Sequence, residues 1–134
     1  MKFTDFNAAQ IRIARSTNRF EEVVDFYEKG IGLTRLSDFS SRDGYTGVIF
    51  GFPHSNYHLQ FTKHIDGSPC PAPTKDNLFV FYIPEVREIE KVVARLQDMG
   101  YYEVSLENTD WKEKGITIED PDGWRVVLMN TRGI

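Results

Sequence analysis

Polar and apolar residues alternate along "QIRIAR", residues 10–15, and this pattern predicts a half-buried strand. Ile11 and Ile13 would face a core. The other three side chains would face the opposite side of the sheet; they are Gln10, Arg12 and Ala14.

The next stretch, residues 16–32, predicts an amphipathic helix. It offers N-capping residues at its start, two glutamates in its first turn, and glycines at positions 30 and 32 after its last turn. Its apolar stripe has helical spacing and consists of Phe20, Val23, Val24 and Tyr27. Three strand-like runs follow near residues 33–39, 45–51 and 56–63, and the turn residues between them predict an antiparallel set.

The second half repeats this order of elements. "NLFVFYI" predicts an apolar strand, and "PEVREIEKVVARLQDMG" predicts a helix with a proline near its start and a glycine past its end. "YYEV", "KGITIE" and "WRVVLMN" predict three more strands, with "DPDG" as the hairpin turn between the last two. Each half is therefore predicted as β-α-β-β-β, which makes the protein α+β.

The length of the chain fits one domain, residues 1–134, built from two modules. The first module would span about residues 9–64 and the second about residues 77–130. Residues 65–76 between them are rich in proline and show no periodicity, so we predict a linker that crosses between the halves.

Charge and cysteine content narrow the possible partners. The net charge of −4 argues against nucleic acid as a partner, because nucleic-acid modules concentrate Lys and Arg. No window is apolar enough for a signal peptide or a membrane span, so we expect no membrane partner. Cys70 stands alone, which favours a reducing compartment, and we expect a cytoplasmic protein.

Two motifs carry a resemblance to a known superfamily. The order and spacing of "DFYEKGIGL" and "DPDGWRVVL" are similar to those of the glyoxalase, bleomycin-resistance and extradiol-dioxygenase (vicinal oxygen chelate) proteins, over about residues 9–130. The resemblance implies two tandem βαβββ modules whose mixed sheets curl around a central cleft. It also implies a homodimer, and a divalent metal held by His or Glu from the first and last strand of each module.

The metal positions that the resemblance implies hold unsuitable residues in this chain: Arg12, Gln60, Asn77 and Val127. Arginine has no lone pair to donate, valine has no donor atom, and neutral amides bind metals weakly. A slip of two residues in the first strand would replace Arg12 by Gln10. We therefore predict no cofactor. The alternative is a displaced site for Zn, Ni, Fe or Mn that uses His58 and Gln60 with His54.

Alternation predicts what the cleft would contain. The first and fourth strands would contribute polar side chains, and the fifth and eighth mainly apolar ones; the full set is Gln10, Arg12, Ala14, His58, Gln60, Thr62, Asn77, Phe79, Phe81, Arg125, Val127 and Met129. Such a pocket suits a small amphipathic molecule. Arg12 and Arg125 would favour a ligand with a carboxylate or phosphate, since a guanidinium binds such groups with two parallel hydrogen bonds.

Some of these residues have a purely structural alternative. Arg12 could form an internal ion pair, and Phe79 could be ordinary core. Asp120 and Asp122 are expected to form the turn by capping local amides, not to catalyse. Residues 107–115, with Trp111, could be a lid or a subunit contact.

The sequence thus predicts a metal-free protein that binds a small molecule, of the sequestering or resistance type. We predict its ligand-binding residues as Arg12, His58, Gln60, Asn77, Phe79, Arg125 and Val127. The alternative is a metal-dependent lyase, isomerase or dioxygenase with a rearranged site. If the protein is an enzyme, we expect a glyoxalase-like lyase or a dioxygenase.

Overall fold

A computed structural model describes residues 8–52, 55–105 and 115–133, except for the side chains of residues 41 and 42. The first half begins with β1 (Ile11–Ser16) and α1 (Phe20–Asp25), which continues as a π-helical segment, Phe26–Ile31. Three strands follow: β2 (Thr34–Arg42), β3 (Tyr45–Gly51) and β4 (Tyr57–His64). They form a four-stranded sheet in the order β1-β4-β3-β2, in which β1 runs parallel to β4 and the other pairs are antiparallel.

The second half contains β5 (Leu78–Tyr82), α2 (Val86–Asp98), β6 (Gly115–Glu119) and β7 (Arg125–Met129). These strands form a three-stranded sheet in the order β5-β7-β6, with β5 parallel to β7. The predicted strand "YYEV" is reduced to an isolated bridge between Glu103 and Ile118 within the described residues. The predicted α+β fold with two sheets is confirmed.

One core lies between the helices and one face of each sheet. In the first half, Val48, Phe50, Leu59 and Phe61 of the sheet are buried together with Val23, Val24, Phe26 and Tyr27 of the helix. The two halves share this core, since buried residues of α2 and of β7 belong to the same cluster. The opposite face of the first sheet, turned away from α1, is therefore not part of this core.

The end of the first helix differs from the prediction. Gly30 lies inside the π-helical segment rather than after it, while Gly32 ends the helix in the left-handed conformation at φ 95°. The reason is a close approach of the two helices: a Cβ on Gly30 would come within 2.3 Å of Leu96 Cδ2 on α2. Gly30 is thus a contact residue and Gly32 is the cap.

Within the described part of the chain, no helix is long and apolar enough to cross a membrane.

Candidate functional site

The outer face of the first sheet, turned away from α1, carries the predicted polar wall. Cross-strand neighbours on this face form three rows: Arg12–His58–Gly51–Thr34, Ala14–Gln60–Ile49–Ser37 and Ser16–Thr62–Gly47–Phe39. The prediction that Arg12 and Ala14 share a face with His58, Gln60 and Thr62 is confirmed by this register. We call it the polar sheet face.

Arg12 and Gln60 meet on the polar sheet face. The Arg12 Nη1 group donates a long hydrogen bond of 3.4 Å to Gln60 Oε1, and the Arg12 side chain is exposed. The described residues offer Arg12 no ion pair, whereas Arg15, Arg35 and Arg125 all have carboxylate partners. Within this part of the chain, the structural alternative for Arg12 is not realised, and its positive charge remains available to a ligand.

His58 lies beside Arg12 in the first row. Its Nδ1 atom is shielded from solvent and has no hydrogen-bond partner among the described residues. Leaving a buried polar atom without a hydrogen-bond partner costs about 1–3 kcal/mol of folding free energy. Because this nitrogen is covered, the His58 ring offers a ligand its surface and at most its other nitrogen.

Two glycines leave room for apolar side chains on the polar sheet face. A bulge in β2 between Arg35 and Ser37 places Leu36 above Gly51, where a Cβ would come within 2.4 Å of Leu36 Cδ1. In the same way, the Phe39 ring lies over Gly47. Leu36 remains 53% exposed and borders a depression of about 210 Å³. This depression is lined by Thr34, Leu36, Gly51, Phe52, Ser55 and His58.

The second sheet differs from the predicted lining. Val80 is the partner of Val127, so the face that carries Val127 also carries Leu78 and Tyr82, not Asn77, Phe79 and Phe81. The predicted face of β5 is therefore wrong by one residue. Phe79 packs against the core and stacks on Trp124 with 5.1 Å between ring centroids. Asn77 instead closes a turn, where its Oδ1 accepts hydrogen bonds from Thr74 N and Thr74 Oγ1.

Arg125 is placed on the predicted face but is already paired. Its Nε donates to Glu119 Oε2 at 3.0 Å and its Nη1 donates to the Ser105 carbonyl at 2.7 Å. Arg125 is 5% exposed and Val127 is fully buried. Of the two arginines proposed for anion binding, Arg12 is exposed and has no carboxylate partner in the part of the chain that the structure describes, whereas Arg125 is buried and paired.

The residues at the inherited metal positions do not fit a metal. Arg12 and Gln60 stand on the first sheet, and Leu78, Val80 and Val127 occupy the corresponding face of the second. A cation, one neutral amide and three aliphatic side chains provide at most one weak ligand atom. The described residues also contain no group of three or more His, Cys, Asp or Glu residues arranged to hold an ion, and His54 of the alternative displaced site lies outside them.

A buried polar cluster, which the sequence analysis missed, joins the two modules. The Arg15 guanidinium donates to Asp120 Oδ2 at 3.0 Å and to Asp122 Oδ2 at 3.3 Å, and the Tyr27 hydroxyl donates to Asp120 Oδ2 at 2.7 Å. The Phe61, Phe79 and Trp124 rings surround the guanidinium, with Trp124 at 4.6 Å. Arg15 could have been noticed, because it has the same strand parity as Ile11 and Ile13 and therefore faces the core.

Burial raises the pKa values of two groups in this cluster, Tyr27 and Asp122. It raises the pKa of the Tyr27 phenol well above its ordinary value of 10.0, and the negative charge of Asp120 raises it further. Burial is also the main cause that raises the pKa of Asp122, and it outweighs the nearby positive charge of Arg15. Asp120 caps its own turn as predicted, because its Oδ1 accepts from Asp122 N and Trp124 N. The cluster is well suited to holding β1 in place, and it leaves no free group for a ligand on the polar sheet face.

A larger apolar groove of about 480 Å³ lies between the edge strands β1 and β5, and it adjoins the depression beside Leu36, since Phe52, Ser55 and His58 line both. Ile11 and Ile13, predicted to face the core, line this groove and are 44% and 53% exposed. Tyr57 and Tyr82, which also line it, are exposed as well. The helix-facing side of β1 is therefore only partly covered.

Comparison with known proteins agrees with this fold. The chain has the fold of the glyoxalase, fosfomycin-resistance and bleomycin-resistance proteins, as predicted. Within that class it belongs to the YycE-like family: the model of the YycE-like N-terminal domain matches residues 11–62 and that of the C-terminal domain matches residues 76–130.

Three known proteins illustrate the similarity. YycE of Bacillus subtilis is 51% identical over 133 residues, or 99% of this chain and 96% of that protein. A crystal structure of Bacillus subtilis YycE, a candidate glyoxalase or fosfomycin-resistance protein, matches with a TM-score of 0.91 over 100% of this chain and 98% of that one. The trypanothione-dependent glyoxalase I of Leishmania major matches with a TM-score of 0.70 at 16% identity, over 92% and 87% of the two chains. An antibiotic binding protein from Streptomyces matches with a TM-score of 0.63 at 20% identity, over 95% of this chain and 98% of that one. The last two likenesses concern the fold alone.

Proposed function

We propose that this protein binds a small anionic molecule on the polar sheet face without a metal, as a sequestering or resistance protein does. The observation that carries the proposal is the pair of Arg12 and Gln60. An exposed guanidinium, without a carboxylate partner among the described residues, lies next to an amide on a sheet face of this fold. The Gln60 oxygen accepts from Arg12, and the Gln60 amide nitrogen, which donates to no described residue, can donate to the same anion.

Three further points support the proposal. The inherited metal positions hold Arg12, Gln60 and aliphatic residues, and such side chains favour recognition by charge and shape over coordination. Ile49 and Leu36 give the same face apolar surface, which suits an amphipathic ligand. An antibiotic binding protein has this fold, so the fold is compatible with binding as a function in its own right.

We also propose a homodimer in the cytoplasm. Ile11 and Ile13 on the edge strand β1, Tyr82 on the edge strand β5 and Tyr57 at the start of β4 beside β1 are exposed. They favour burial against a second copy, because an exposed apolar edge is otherwise prone to aggregate. Light scattering of the purified protein tests this expectation, and a monomer at all concentrations would contradict it.

The binding proposal is tested by calorimetric titration of chelator-treated protein with phenylalkanoates, phenyl phosphate and the uncharged amides of the same acids. We expect the acids and the phosphate to bind and the amides to bind at least tenfold more weakly, about 1.4 kcal/mol. Arg12→Ala should bind the acids and the phosphate at least tenfold more weakly than the unmodified protein does. Arg12→Lys should fall between, since lysine keeps the charge but loses the two-pronged geometry.

Arg87→Ala is the matched control, because it removes the same charge from an exposed position on α2. It should bind like the unmodified protein. The proposal is wrong if Arg12→Ala binds as tightly as Arg87→Ala. It is also wrong if binding begins only after a divalent metal is added, which would favour the metal-dependent lyase, isomerase or dioxygenase instead.

A further inference from the structure

We infer that the ligand has a second, apolar end that occupies the depression beside Leu36, so that the molecule lies across the strands from Arg12 to Gly51. This inference rests on the proposed anion site at Arg12 and adds the shape of the ligand. The ligand class is then an elongated acid, a carboxylate or phosphate with an aryl or alkyl group at its far end.

The register of the sheet sets the direction. Arg12, His58 and Gly51 are direct neighbours on β1, β4 and β3, and Thr34 on β2 ends the same row. Neighbouring strands lie about 4.8 Å apart, so Arg12 and Gly51 are separated by about 10 Å. A ligand that binds Arg12 with its acid group and lies along this row reaches the depression with its other end.

The depression suits part of a ligand. Its volume of about 210 Å³ is below the roughly 300–1,000 Å³ of complete small-molecule pockets, so it fits one end of a molecule. Leu36 contributes an apolar side chain that is 53% exposed, and burying it under a ligand group would be favourable. The described residues that line the depression include no Asp, Glu, Lys or Arg, so the depression suits an uncharged group.

Two local features build the depression. The bulge in β2 turns Leu36 onto the polar sheet face, and the missing side chain of Gly51 lets Leu36 lie low against β3. His58 stands between the two ends of the row, with its Nδ1 covered. The ligand would therefore cross the His58 ring without an acid or base step at that nitrogen.

The experiment uses a series of phenylalkanoates with one to six methylenes between the carboxylate and the ring, measured against the chelator-treated full chain. We expect affinity to increase along the series by at least tenfold from the shortest to the best member. Straight short acids such as acetate and propionate should bind as weakly as phenylacetate, because they reach only Arg12.

Gly51→Ala is the test variant. Its new methyl group would overlap the end of the flexible Leu36 side chain and push it into the depression, without backbone strain, since Gly51 has no positive φ. It should lower the affinity of the long acids about tenfold and leave acetate unchanged. Ile65→Ala is the control: Ile65 is 82% exposed and does not line the depression, so this variant should change neither affinity.

Leu36→Ala provides an independent variant on an exposed side chain, in case Gly51→Ala folds poorly. It should widen the depression and improve binding of a naphthyl acid relative to the phenyl acid at least threefold. The inference is overturned if affinity does not depend on chain length and neither Gly51→Ala nor Leu36→Ala changes it, while Arg12→Ala still abolishes binding. Loss of the Arg12 effect itself would overturn the proposed function instead, so the two failures are distinguishable.

Discussion

At the residue scale, the Asp120 carboxylate is the point where the two modules meet. One oxygen accepts hydrogen bonds from Arg15 and Tyr27, and the other accepts two backbone amides of its own turn. Tyr27 belongs to "DFYEKGIGL" and Asp120 to "DPDGWRVVL", so the two motifs that carry the family resemblance are in direct contact. Their joint presence has a physical reason, because each motif supplies half of one buried pair.

Replacing Tyr27 with Phe tests this contact through pH. We expect Tyr27→Phe to lower the free energy of unfolding at pH 7 by about 1.5–3 kcal/mol, the usual contribution of a hydrogen bond to a charged group. The pKa of Tyr27 is raised in the folded protein, so its stabilising effect is complete below pH 10.0 and is lost as pH rises above that value. Urea unfolding from pH 7 to pH 11 measures both effects.

The difference in unfolding free energy between the unmodified protein and Tyr27→Phe should therefore shrink above pH 10.0, by at most about 1.4 kcal/mol per pH unit. Tyr102→Phe is the control, because Tyr102 is 62% exposed and its hydroxyl contacts no described residue by hydrogen bond. A constant difference between Tyr27→Phe and the unmodified protein across this range would contradict the account of the buried phenol.

Sequence reasoning succeeded at residues whose role is local and failed at those whose role depends on the other module. The turn-capping role of Asp120 follows from four consecutive residues. The partners of Arg125 and Arg15 lie on other strands and turns, and no pattern in one sequence specifies those contacts. Strand parity places Arg15 on the same side as Ile11 and Ile13, but it does not specify which carboxylate Arg15 contacts.

At the element scale, the contact between the two helices depends on Gly30. Gly30→Ala adds a methyl group 2.3 Å from Leu96 Cδ2, and Leu96 is fully buried. We expect a loss of about 1–3 kcal/mol in unfolding free energy from overpacking, although alanine is otherwise favoured over glycine in a helix by about 1 kcal/mol. Urea unfolding at pH 7 measures the change.

Leu96→Ala serves as the partner in a double-mutant cycle. In the Leu96→Ala protein the methyl group added by Gly30→Ala has room, so Gly30→Ala should leave the unfolding free energy unchanged or increase it. If Gly30→Ala stabilises the unmodified protein, the two helices do not approach each other as closely as described.

The strand β5 shows why one prediction of the site failed. Its five residues are all apolar, Leu78–Tyr82, so alternation carries no information about which side faces the core. The sequence analysis assigned Asn77, Phe79 and Phe81 to the cleft, and the pairing of Val80 with Val127 places the cleft face one residue away. In β1, where polar and apolar residues do alternate, Arg12 and Ala14 lie on the predicted face, although Ile11 and Ile13 on the other face line a groove instead of the core.

At the scale of the whole molecule, the order of elements was enough to predict the two-module fold, because helix and strand periods and turn residues recur in each half. The shared face of Arg12 and Gln60 also followed, since the strands alternate. The depression at Leu36 did not, because it depends on a bulge in β2 that shifts the register by one residue. No pattern in a single sequence predicts such a bulge.

The central claim is that the inherited metal site has become a charge-and-shape site. It is tested most directly by recording amide spectra of isotope-labelled, chelator-treated, untagged protein while adding one equivalent of Mn²⁺, whose unpaired electrons broaden nearby signals. We predict no saturable broadening at Arg12, Gln60, Val80 or Val127. Broadening of these signals that saturates at one ion per chain would contradict the account.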